Sequence, residues 1–180
     1  MPKVLASLLI VIVLLAIAYG AYIIGTRQAE VIADFEDCVA AGYPVFESYP
    51  GVCKTPEGDT FVEDVGNVLE KASLIELDRP RPNELIKSPL VIEGRARGNW
   101  YFEASFPVKI IDGNGNVLAT APAQAQGEWM TTEFVPFRVE ISFPEPATEK
   151  GMLVLEKDNP SGLPGNADEL RIPIRFEESK

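Results

Sequence analysis

Four glutamates, Glu103, Glu128, Glu133 and Glu140, are the side chains of this sequence that could do chemistry. Two carboxylates at a suitable separation hydrolyse a glycosidic bond, one as acid and the other as nucleophile or base. Spacing along a chain does not fix that separation, and Glu140 alternates with apolar neighbours as a solvated residue on a strand does. The 180 residues include no histidine. That removes Ser–His and Cys–His nucleophilic pairs and the commonest transition-metal ligand. Two cysteines cannot build a structural zinc site by themselves. Asp112-Gly-Asn-Gly-Asn116 opens like a calcium loop of the EF-hand type. Val117 then stands where that loop needs glycine, and Ala123 where it needs glutamate. Glycines between two apolar runs are what a hairpin turn requires, so a turn is expected there. No catalytic residue, metal site or cofactor is expected.

The elements that carry these residues begin with Val4–Ile24, an apolar run of 21 residues without charge. At about 1.5 Å per helical residue it matches the hydrocarbon thickness of a bilayer. It is read as a single-pass cell-membrane anchor over residues 1–27, with the remainder extracytoplasmic. The alternative is a secretory signal cleaved after Ala18, since Ala16 and Ala18 form an A-x-A pattern, and a secreted passenger. The net charge is −11, and Lys3 and Arg27 are the only charges before residue 28. The exported part is therefore strongly acidic, which disfavours nucleic acid and anionic lipid as partners.

Residues 28–64 form a two-cysteine segment. Val31, Phe35 and Val39 recur every four residues, predicting a helix over 27–41 that Gly42 ends. Thr55-Pro-Glu-Gly58 is a turn between Cys53-Lys54 and Thr60–Val62, a short hairpin. This piece is too small for a core, and in an exported chain its cysteine pair, Cys38 and Cys53, reads as a disulfide. Residues 65–72 are a linker.

From Ser73 to Lys180 the pattern is β. Val135, Phe137, Val139, Ile141 and Phe143 alternate with polar residues, as do Phe102, Ala104, Phe106, Val108 and Ile110, and Ile172, Ile174 and Phe176. Leu90–Ala96, Asn116–Thr120, Met152–Glu156 and Ile75–Leu77 complete seven short strands. Seven strands separated by Pro and Gly predict a mostly β fold, a seven-stranded immunoglobulin-like β-sandwich. Neither cysteine lies within it, so apolar packing alone must hold the two sheets, with Trp100 or Trp129 available to it.

Residues 85–177 resemble the immunoglobulin-like domain associated with bacterial spore germination. The likeness lies in Ser88-Pro-Leu-Val-Ile-Glu-Gly94, Trp100-Tyr-Phe-Glu103, Ile110-Ile-Asp-Gly-Asn-Gly-Asn-Val-Leu118, Val135-Pro-Phe137, Leu153-Val-Leu-Glu156 and Asn159-Pro-Ser-Gly162. It implies a sandwich on an envelope protein and no established catalytic residues. Residues 35–63 are similar to a short two-cysteine module found behind bacterial membrane anchors, which implies no activity.

The function expected is that of a non-catalytic, envelope-tethered interaction module. Its partner would be an envelope protein or a cell-wall glycan. A glycan-acting enzyme using carboxylates and a purely structural spacer are the alternatives. Trp100, Tyr101 and Trp129 lie in predicted loops and are the candidate contacts, because exposed aromatic residues anchor interfaces. The competing reading folds each Trp inward over an open end of the sandwich. Strand parity places Tyr101 outside the core, opposite Phe102 and Ala104.

Overall fold

The computed structural model describes residues 31–177, with Leu15, Ala16 and Tyr19 in addition. Apart from those three residues, which are helical and exposed, the expected anchor Val4–Ile24 lies outside the described residues. Among the described residues no helix is long and apolar enough to cross a membrane. The chain divides into two compact units. One takes the residues up to Phe46 with Val52–Phe61; the other takes Glu47–Gly51 with the residues from Val62 onward.

The first unit holds a short helix, α1 (Phe35–Ala40). Of the helix expected over 27–41, residues 27–30 lie outside the described residues, and residues 31–34 are not helical; the reason is the N-cap. Asp34 is extended and its carboxylate accepts the Asp37 N–H at 2.8 Å, which starts the helix there. Val31 and Val39 do not form a buried stripe; both are exposed. The predicted stop is present. Gly42 has φ +80°, the Tyr43 N–H donates to Cys38 O and the Gly42 N–H to Val39 O, the paired bonds of a left-handed C-terminal cap. A three-stranded sheet follows in the order β1 (Val45–Phe46), β2 (Val52–Lys54), β3 (Thr60–Val62). The Thr55–Gly58 turn closes with the Gly58 N–H on Thr55 O at 3.1 Å. Cys38 and Cys53 are fully buried and bonded, with Cα atoms 6.1 Å apart.

The second unit is the sandwich. A single-turn helix, α2 (Val68–Lys71), precedes eight strands: β4 (Ile75–Arg79), β5 (Leu85–Ile86), β6 (Leu90–Arg97), β7 (Ser105–Asp112), β8 (Val117–Ala125), β9 (Phe134–Ile141), β10 (Lys150–Glu156) and β11 (Glu169–Phe176). The hydrogen-bonded order is β4-β6-β9-β8-β7-β10-β11-β5. β8 pairs with β7 along its length but with β9 only at Gln124 and Ala125. β8 therefore links two layers, β4-β6-β9 and β7-β10-β11-β5. Their inner faces form one cluster: Ile92, Ala96, Val135, Phe137, Val139 and Ile141 meet Phe106, Val108, Ile110, Leu153, Leu155, Leu170, Ile172 and Ile174. All seven expected strands are present. The eighth, β5, is two residues long and too short to carry a period.

Side chains and short segments protect the outer edge of β11. The Asn67 amide donates through Nδ2 to Glu169 O at 2.9 Å and accepts the Arg171 N–H through Oδ1 at 2.7 Å, as a neighbouring strand would. The Asn83 N–H donates to Pro173 O, and β5 pairs in parallel with Arg175 and Phe176. An edge covered in this way cannot template pairing with another chain.

Candidate functional site

The loops after β6, between β8 and β9, and between β10 and β11 lie at one end of the sandwich, together with α2. The strand pairings require it: Ile75 faces Ala96, Arg97 faces Phe134, and Glu156 faces Glu169. This end holds all three aromatic residues expected to make contacts, and the structure divides them.

Trp100 and Tyr101 are core residues, 1% and 4% exposed. This corrects the expectation that Tyr101 stands outside the core. The strand does not begin at Phe102. Phe102 and Ser105 exchange backbone hydrogen bonds at 3.0 and 3.1 Å across Glu103 and Ala104, whose φ values are +50° and +63°. This tight turn interrupts the alternation, so Phe102 is exposed while β7 starts afresh at Ser105 with Phe106 inward. Tyr101 turns in before the turn. Its ring meets Phe106 edge-on at 5.1 Å, and Phe106 meets Phe137 at 5.0 Å, an aromatic series between the two layers. The Tyr101 hydroxyl donates to Val135 O at 2.7 Å. Burial pushes the Tyr101 phenol well above its ordinary value, opposed by a backbone hydrogen bond at Ala96.

The Trp100 indole closes this end of the core from inside, although its Nε1–H is buried without a hydrogen-bond partner. Gly98 permits that inward path. A Cβ on Gly98 would collide with the carbonyl oxygens of Trp129 and Thr131, so only glycine lets the two loops lie this close. Trp129 is half-buried against the core and Met130 beside it is exposed. The inward reading therefore holds for Trp100, and Trp129 is partly available to a partner.

The large apolar residues that do reach solvent at this end include Phe102, whose spacing predicts an inward position. Leu69 on α2, Phe102, Met130 and Leu163 are exposed large apolar side chains, one on each segment. Beside them is a cleft of about 800 Å³ lined by Glu70, Lys71, Glu156, Lys157, Asp158 and Asp168, among others. Clefts at the opposite end are smaller, about 270 and 320 Å³. Lys71 pairs with Asp168 at 2.6 Å, and Lys109 with Glu156 at 2.6 Å. Arg171 pairs with Glu169 at 3.0 Å, so salt bridges take up three of the five lining carboxylates, and Glu70 and Asp158 line the cleft together with Lys157. No single motif announces it, because its residues come from α2, β10 and the loop before β11.

None of the four glutamates first considered lines this cleft. Glu133 pairs with Arg97 at 3.6 Å and Glu128 accepts the Met130 N–H. Glu103 sits in the turn, and Glu140 is exposed on the outer face of β9. Among the described residues no group of histidine, cysteine, aspartate or glutamate is placed to hold a metal ion. At the other end, Asp112 closes the expected hairpin turn on itself. Its carboxylate accepts the backbone N–H groups of Asn114 and Asn116 and the Asn116 side-chain amide. Those bonds, led by the Asn116 side chain, hold the Asp112 carboxyl below the usual range against the opposing effect of burial.

The chain matches no curated protein and no solved structure. Residues 74–163, half of the chain, match the family described as the immunoglobulin-like domain of bacterial spore germination. The match begins just before β4 and ends before β11, in the loop that carries Leu163. With the two-layer sandwich, this makes the chain a member of that family of immunoglobulin-like domains of bacterial spore germination.

Proposed function

We propose that this protein is a non-catalytic interaction module tethered at the bacterial envelope, and that it works through the α2 end of the sandwich. The observation that carries this reading is the coincidence, at one end, of four exposed apolar tips with the carboxylate-rich cleft. Apolar side chains supply contact area and the charged rim supplies selection. The family match supports a binding module rather than a particular ligand. Glu70 and Asp158, the lining carboxylates outside those salt bridges, favour amine or guanidinium groups, as on a basic segment of another envelope protein. Val4–Ile24 would hold the chain in the membrane with the sandwich outside, where such a partner is met.

The test is crosslinking in whole envelopes, followed by identification of what is captured. Phe102→Ala and Met130→Ala remove exposed side chains and should leave the fold intact. Together they should weaken capture about tenfold, or about 1.4 kcal/mol. Undiminished capture by a folded double variant would refute this end as the working surface. Glycan fragments in place of a protein would correct the partner.

A further inference from the structure

The two units bury their apolar residues to different extents. The sandwich buries a continuous cluster, whereas among the described residues of the first unit the disulfide and Thr55 are what is fully buried. Ile32, Phe35, Tyr43, Val52 and Phe61 are half-buried, whereas Val31, Val39, Val45 and Phe46 are exposed. Val45 and Phe46 are the clearest case. They are consecutive in β1, an edge strand, so they point to opposite faces of the sheet. Val45 lies opposite Cys53 and Phe46 opposite Val52. Each keeps about half of its surface in solvent, 45% for Val45 and 55% for Phe46, so both faces of β1 are partly open. With Pro44 beside them, also exposed, they form an uncharged apolar tip at the sheet edge.

We propose that this tip, Pro44-Val45-Phe46, inserts into the headgroup region of the bilayer that holds Val4–Ile24. The inference rests on the anchor reading given above. The chain itself identifies the occupant. The apolar run ends ten residues before Asp34, and ten extended residues reach at most about 36 Å. That tether leaves the first unit within reach of the lipid surface. Aromatic and aliphatic side chains favour that interface, and insertion there needs no basic residues when the lipid is zwitterionic. Among the unit's described residues the carboxylates Asp34, Glu36, Asp37, Glu57 and Asp59 stand against Lys54, which excludes attraction to anionic lipid as the cause.

The full chain carrying Phe46→Trp is reconstituted in phosphatidylcholine vesicles brominated at shallow acyl positions. Emission from Trp100 and Trp129 is subtracted using the unsubstituted chain. Val117→Trp serves as reference, because Val117 on the sandwich is 53% exposed and Phe46 is 55% exposed. The expected result is strong quenching and a blue shift at position 46, well beyond those at position 117. Equal, water-like emission at the two positions in a chain that floats with the vesicles overturns the tip alone. A chain that does not float overturns the tip and the anchor together.

Discussion

Replacing Tyr101 tests the register at the α2 end most directly. Its ring packs between the two layers and its hydroxyl donates to Val135 O at 2.7 Å. Tyr101→Phe removes only that bond, a loss of about 1 kcal/mol. For a domain of this size that lowers the melting temperature by about 4–8 °C. Tyr101→Ala removes the ring as well and opens a cavity against Phe106, at about 3–5 kcal/mol. The two variants should therefore separate clearly in thermal unfolding followed by near-ultraviolet circular dichroism. The pH dependence adds a second readout. Burial raises the folded phenol above its ordinary value of 10.0. The stabilisation is thus fully present below pH 10 and is lost as pH rises toward the folded value. Wild type should lose stability in that alkaline range, whereas Tyr101→Phe should lack this component. A Tyr101→Ala protein destabilised by less than about 0.5 kcal/mol would behave as a surface variant, and the placement of Tyr101 in the core would be wrong.

Reducing Cys38–Cys53 opens a loop of sequence separation 15, worth about 3 kcal/mol in the chain-entropy description. Hydrogen exchange should rise across residues 35–62 while the sandwich amides keep their protection; unchanged exchange in that segment would contradict the account. Asp112→Asn should destabilise the β7–β8 hairpin near neutral pH. The folded carboxyl is held below its ordinary value of 3.8, so its contribution is present above that value and disappears as pH falls through the folded one. Urea titrations of the two proteins should converge in acid, and a gap independent of pH would refute the assigned role.

Much of this architecture is legible because one face of each strand is buried and the side-chain period is two. Val135, Phe137, Val139 and Ile141, and likewise Ile172, Ile174 and Phe176, are inward as their spacing requires. The Asp112–Asn116 turn and the left-handed Gly42 are legible for a similar reason, since few residue types accept those backbone angles. The Phe102–Ser105 turn was not legible. Glu103 and Ala104 are poor residues for positive φ, and nothing local predicts that they adopt it. The surrounding core imposes the turn by drawing Trp100 and Tyr101 inward, and with it the whole assignment of contacts at that end changes.

Alone, the sequence determined the apolar run Val4–Ile24, the acidic charge balance, the cysteine pair and the alternation that makes a sandwich. Each is a property of composition or of neighbours within a few residues. Tertiary structure decided which aromatic residues are core and which reach solvent. It decided that Asn67 serves as a piece of strand for β11, more than a hundred positions away. It also decided that Leu69, Phe102, Met130 and Leu163 share one end with a cleft. These are relations between distant segments, and they exist only once the strand register has brought those segments together.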